Sequence, residues 1–233
     1  MNHMRLCGFA FGALIGFGLT NACMVSDTYT IRYYQLDEGQ RVKRVVLAAS
    51  FAPGVGETIE PAVLEMYQGV VREFVSHHHE YILLDARILP RDVFAANLPG
   101  ATAIPRPPLA LTPPIQGLCA ADYDGRKTHS VLLNHFYKLE RQGGSAALRV
   151  EARLIDCATG LLVWRALGEN SYASEDSDLE QTIRGYTNRY GESVRPYVAG
   201  AYLLVRKLYD SMPDPTLNED DIVEKIEVDA LAE

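Results

Sequence analysis

Five histidines, two cysteines and a few acids in the interior of the chain are the residues whose types could do chemistry, and their spacing narrows what that chemistry is. His77, His78 and His79 are consecutive. Adjacent side chains on a helix point in different directions, so three in a row share one ion poorly. At a helix end, their protonated rings instead interact favourably with the dipole. His129 and His135 fall on a segment read as strand, where same-face spacing with Glu151 or Arg153 on the next strand would build a polar cluster. A hydrogen-bonded sheet histidine is expected there, not a metal ligand. Phe51 to Gly56 (FAPGVG) lies between the first strand and the first helix, a place where α/β proteins bind ligands through backbone N–H groups. Its glycines read as turn residues. No Gly-x-Ser-x-Gly, His-Glu-x-x-His, phosphate loop or dinucleotide fingerprint is present. The expectation is a chain with no catalytic residues, no metal and no cofactor.

The elements that place these residues read as one α/β domain. Arg44 to Ser50 is a short β-branched run ending at Pro53 and Gly54, which suits a buried strand and a turn. A helix follows, with Thr58 as cap, Pro61 in the first turn, Val63, Tyr67, Val70, Val71 and Phe74 on one face, and an end near His77. Tyr81 to Leu84 is a second strand, parallel to the first by a right-handed crossover. Leu98 to Gly117 holds Pro99, Pro105, Pro107, Pro108, Pro113 and Pro114 and is expected to be loop. His129 to Leu139, Ala147 to Cys157 and Leu161 to Leu167 form an antiparallel meander. In its middle strand Leu148, Val150, Ala152 and Leu154 alternate with Arg149, Glu151 and Arg153, predicting one buried and one wet face. Two helices close the domain, Ser177 to Tyr190 and Ser193 to Ser211, with Gly191 and Pro213 as stops. Tyr186, Tyr190, Tyr197 and Tyr202 fall at helical spacing and read as core or amphipathic boundary residues, with an exposed contact surface as the alternative. The fold class is therefore a mixed sheet, with a β-α-β start and a three-stranded meander, under two C-terminal helices.

The N-terminus carries a second kind of chemistry. Arg5, an apolar run from Leu6 to Leu19 and Ala22 just before Cys23 have the order of a secretory signal. The run is too short for a membrane span of about 20 helical residues. It resembles the signals of bacterial lipoproteins, in which the cysteine after the cut carries the acyl chains, although Thr20 and Asn21 stand where an aliphatic and a small residue are usual. Cys23 is accordingly expected to be the lipidation site, with an ordinary secretory cut as the alternative. Residues 1–22 are then signal, 23–42 lipidated N-terminus and tether (where Tyr29, Ile31 and Tyr33 alternate and could add an edge strand), 43–213 the periplasmic domain and 214–233 an acidic tail.

Cys7 leaves with such a signal and Cys23 is acylated, so Cys119 and Cys157 remain as a pair in an oxidising compartment, and a disulfide is expected. Two buried thiols, or two members of a metal site, are the alternatives. The chain of 233 residues has a net charge of −8, and cleavage after Ala22 removes only Arg5, leaving −9. From Asp214 onward the charge is −7, so the body is nearly neutral and offers no basic footprint for nucleic acid. The tail is expected to be solvated and dispensable for folding, except that Ile222, Val223, Ile226 and Val228 are spaced so that a short helix or strand could dock.

The segment from Leu148 to Ala166 (LRVEARLIDCATGLLVWRA) resembles the strand-turn-strand signature of periplasmic lipoprotein domains. These include the curli-export lipoprotein, activators of penicillin-binding proteins and the N-terminal domain of the Tol-system translocation protein. Asp156, Thr159, Gly160 and Trp164 stand in the matching places. Read physically, Asp156 caps the turn, Gly160 takes a positive φ and Trp164 packs on the sheet. With Cys119, Cys157 and the Asp124–Gly125 step, the stretch from Lys43 to Tyr209 is similar to a family of small lipoproteins from myxobacteria and leptospires. That resemblance implies a fold and a place in the cell envelope and little about activity. The expected function is a noncatalytic lipoprotein, anchored by its lipid to the periplasmic face of the outer membrane, with an envelope protein as partner. A subunit of an export assembly and a periplasmic enzyme are the alternatives, and soluble periplasmic or inner-membrane placement the alternatives to the outer membrane.

Overall fold

The computed structural model describes residues 27–32, 42–55, 59–89 and 112–232. Cys23, Thr58 and the proline-rich segment as far as residue 111 lie outside them. The first described run is strand β1 (Asp27–Arg32), followed by β2 (Arg44–Phe51), α1 (Pro61–His77) and β3 (Ile82–Ile88). Every residue of β2 after Arg44 is buried, as its unbroken apolar run requires of a strand covered on both faces. α1 begins at Pro61, whose missing N–H falls where the helix would leave it unpaired, and Glu60 at the N-cap makes no side-chain cap. β3 pairs parallel to β2. The β-α-β start is thus present as expected.

β6 (Ser130–Gln142), β7 (Ser145–Asp156) and β8 (Leu162–Ala173) form the antiparallel meander, preceded by a two-residue ribbon, β4 (Asp122–Tyr123) and β5 (Arg126–Lys127). β6 also pairs parallel to β2, and β1 runs antiparallel along β8. The six-stranded sheet has the order β1-β8-β7-β6-β2-β3. The 23–42 tether therefore contributes an edge strand. α3 (Glu180–Tyr190) and α4 (Arg195–Tyr209) then pack with α1 on one face of the sheet, and Gly191, at φ 98°, divides them. α4 crosses the meander at close range. A Cβ on Gly168 would meet Leu204 at 2.7 Å, and one on Gly200 would meet Leu148 at 2.8 Å.

The turn between β7 and β8 follows its sequence reading. Asp156 accepts from Ala158 N at 3.1 Å and from the Thr159 hydroxyl, and Gly160 has φ 69°. Trp164 is fully buried against Tyr209, with ring centroids 5.4 Å apart. On the opposite sheet face, α2 (Pro113–Ala120) packs Ile115 among Ala48, Val131 and Leu133. Cys119 of α2 and Cys157 at the end of β7 are disulfide-bonded, with Cα atoms 5.4 Å apart. The prolines misled the loop assignment here. Pro113 and Pro114 occupy the first turn of α2, the one part of a helix that tolerates them.

The acidic tail is the second correction. Residues Glu219–Ala232 form α5, held to the domain by its charged side. Lys43 Nζ, itself buried, donates to Asp221; Arg44 makes a two-pronged contact with Glu224 at 2.7 and 2.5 Å; Ser76 donates to Asp229 at 2.8 Å. Val228 is the large apolar residue of α5 that is buried. A chain ending at Pro213 is expected to be less stable than the full chain by about 2 kcal/mol, one apolar side chain plus a few partly exposed ion pairs. Its Tm should fall by roughly 4 to 8 °C, and an unchanged Tm would show α5 to be ornamental. Among the described residues, no helix is long and apolar enough to cross a membrane.

Candidate functional sites: a buried polar cluster and an aromatic groove

The side of β7 expected to be wet is closed at Glu151 and Arg153, while Arg149 stays partly exposed. Glu151 is 0% exposed, Arg153 5% and, from β8, Arg165 3%. Arg153 and Arg165 are direct cross-strand partners. Two like charges so placed repel, and burial sharpens the repulsion. Glu151 offsets both. It accepts Arg165 Nε at 2.6 Å and Nη2 at 3.1 Å, and Arg153 Nε as well, while the Tyr137 hydroxyl donates to it at 2.9 Å. Burial pushes the Glu151 carboxyl upward, but the two guanidinium groups outweigh it and hold the pKa below the usual carboxylate range. Burial, then the Glu151 charge, pushes the Tyr137 hydroxyl up to about 12. A bulge in β6 next to Phe136 places Tyr137, and the Arg149 guanidinium lies 5.2 Å from its ring centroid.

His135 is Glu151's partner across β6 and β7, as the same-face spacing suggested. The Ser50 hydroxyl of β2 lies 2.8 Å from its Nδ1, a contact the sequence reading missed. Serine beside histidine is the pairing of a nucleophile and a base. Both residues are buried here, at 1% and 2% exposure, so a substrate has no approach to the Ser50 oxygen. Burial, reinforced by the Arg153 charge and opposed by that of Glu151, lowers the His135 pKa from 6.5 to about 4. The ring is neutral in the folded chain at pH 7, whereas the unfolded chain takes up a proton near 6.5. Stability from this group is complete above that value and lost as pH falls from about 6.5 towards 4. The loss should reach about 3 kcal/mol. Urea denaturation from pH 7 to 4 measures it, and His135→Gln should flatten the slope by that amount; an unaltered slope would mean the ring is solvated.

The other histidines diverge. His77 and His78 are exposed, with the His78 ring 4.4 Å from that of Phe74, while His79 is buried with Nδ1 2.7 Å from Asp214 Oδ1. His79 thus ties the end of α1 to the chain leading into α5, where a solvated helix end was expected. Among the described residues, no three His, Cys, Asp or Glu side chains are grouped to hold a metal ion. Gly54, at φ 79°, serves the turn after β2.

A groove of about 950 Å³ runs between α1 and α3. Gly69, Arg72 and Glu73 line one wall and Gly185, Tyr186 and Arg189 the other. Tyr186 is buried and donates to Glu73, and burial followed by that contact raises its pKa far above 10. Tyr190 stacks on it at 6.1 Å and is covered by the Arg189 guanidinium at 5.5 Å. Tyr186 is core, and Tyr190, Tyr197 and Tyr202 stand at the half-buried boundary, both within the expected reading. The groove thus sets aromatic edges beside guanidinium and carboxylate groups that already pair with its tyrosines.

Comparison with protein families finds no model that matches the chain, and comparison with curated proteins finds no match. Among solved structures, the chain is similar to a PelC dodecamer from Paraburkholderia phytofirmans (14% identity, covering 82% of this chain and 100% of that one, TM-score 0.44). A point variant of the same dodecamer follows (13% identity, 79% and 96%, TM-score 0.42). A hypothetical protein from Chlamydia trachomatis is more remote (11% identity, 81% and 99%, TM-score 0.32). Likenesses at these scores carry nothing about function.

Proposed function

We propose that this chain is a noncatalytic lipoprotein, anchored through Cys23 to the periplasmic face of the outer membrane, whose domain binds another protein of the envelope. The observation that supports export is the Cys119–Cys157 disulfide, since such bonds persist in oxidising compartments and are rare in the cytosol. The order of Arg5, apolar run, Ala22 and Cys23 supports acylation, and Met24 after the cysteine, not Asp, supports outer-membrane sorting. Several acyl chains hold a protein to a membrane almost permanently, at about 0.8 kcal/mol per buried methylene. The lack of a catalytic role is supported by the enclosure of Ser50 and His135. Cells fed a fatty-acid analogue should label the wild-type chain and leave Cys23→Ser unlabelled. Label retained by that variant would defeat the anchoring.

A further inference from the structure

α5 is docked by the side a surface helix ordinarily turns to water. Asp221, Glu224, Lys225 and Asp229 engage the domain, while Ile222, Val223, Ile226 and Leu231 are 49%, 58%, 64% and 77% exposed. Ile222, Ile226 and Ala230 stand four residues apart with Val223 beside them, so they form one outward stripe. Asp220 and Glu227 run along one edge of it, and Glu219 lies at its N-terminal end. All three are exposed; Glu227 touches Arg126 at 3.1 Å and remains largely in solvent. Four of the five exposed large apolar residues among the described ones sit on this single helix, the fifth being Ile88. Concentrated exposure of this kind marks a contact surface.

We propose that the outer stripe of α5 is the docking surface for an amphipathic helix of another protein, one with an apolar ridge and Lys or Arg along one edge. This rests on the partner-binding reading above and gives the partner its chemistry. A second copy fits poorly, because α5 against α5 brings the acidic edges together, and among the described residues the exposed large aliphatic side chain outside α5 is Ile88 alone. The acidic edge also repels an anionic lipid surface. A basic-edged helix satisfies both the stripe and the charge.

The test uses the full chain and a labelled amphipathic peptide of about 18 residues, enough at 1.5 Å per residue to span α5. The peptide has leucines on one face and lysines along one edge; a second peptide has glutamates in their place. Fluorescence anisotropy should show the lysine peptide binding and the glutamate peptide weaker by at least roughly tenfold. Ile226→Ser should weaken the lysine peptide roughly tenfold, and Glu227→Lys, which leaves Glu219 and Asp220 in place, should narrow the preference between the two. Both positions are exposed, so the Tm should not move, and a shifted Tm would be checked with Val223→Ser. Equal binding of the two peptides, no binding of the lysine peptide, or indifference to Ile226→Ser overturns the proposal. So does self-association of the chain abolished by Ile226→Ser, or stripe-dependent binding to phosphatidylglycerol vesicles. Fatty-acid labelling of Cys23 is independent of all these outcomes, so the docking surface can fail while the anchored reading stands.

Discussion

Glu151→Gln should destabilise the domain by about 3 to 5 kcal/mol, among the largest effects of any single substitution outside the apolar core. The change is nearly isosteric, so no cavity is opened. What changes is charge: Arg153 and Arg165, opposite one another and almost fully buried, lose the one carboxylate that bridges them. A buried charge left without its partner carries a desolvation penalty that attraction no longer offsets. The converse substitution sharpens the claim. Replacing Glu151, Arg153 and Arg165 together by leucine or methionine should be close to neutral, because the desolvation of all three disappears with them. Urea denaturation of both chains decides the matter. If Glu151→Gln lies within about 1 kcal/mol of wild type, water reaches the two guanidiniums and the cluster is not closed.

Trp164→Ala should cost about 3 to 5 kcal/mol through lost burial and the cavity left behind. The indole is fully buried on the helical face of the sheet, packs on Tyr209 of α4 and donates from Nε1 to the Ser211 hydroxyl at 3.3 Å. It therefore joins the meander to the end of the last core helix. Trp164→Phe keeps part of the volume and should recover a substantial part of the loss. Trp164 is the sole tryptophan, so unfolding of the variants is followed by circular dichroism. A Tm within a degree or two of wild type for Trp164→Ala would contradict its anchoring role.

Much of the sheet was legible in local pattern. The run from Arg44, the alternation along Leu148 to Leu154 and the Asp156–Gly160 turn each satisfy their own hydrogen-bonding and turn chemistry, so their reading needs no distant partner. The same holds for the helix ends at His77 and Gly191, whereas Cys119 and Cys157 were paired by elimination, as the two cysteines left once Cys7 and Cys23 were assigned to the N-terminus. The polar cluster was legible only in part. His135 and Glu151 were placed on one face by the period of two, but Ser50 belongs to a strand some 85 positions earlier, and only a parallel pairing brings it to the histidine.

The sequence by itself determined the class of fold, the order of most elements and the chemistry of the turn that carries Trp164. Tertiary structure alone decided what covers the polar side of β7 and which side of α5 faces inward. Alternation distinguishes two faces of a strand without stating what covers the second, and Arg149, Glu151 and Arg153 read as solvent-facing because charge usually is. An amphipathic helix is likewise expected to bury its apolar side, since apolar burial normally outweighs exposed ion pairs. α5 does the reverse, because Lys43, Arg44 and Ser76 lie where its carboxylates can reach them in partly dry surroundings. Those partners are about 150 to 180 positions away in the chain, and no local period records them.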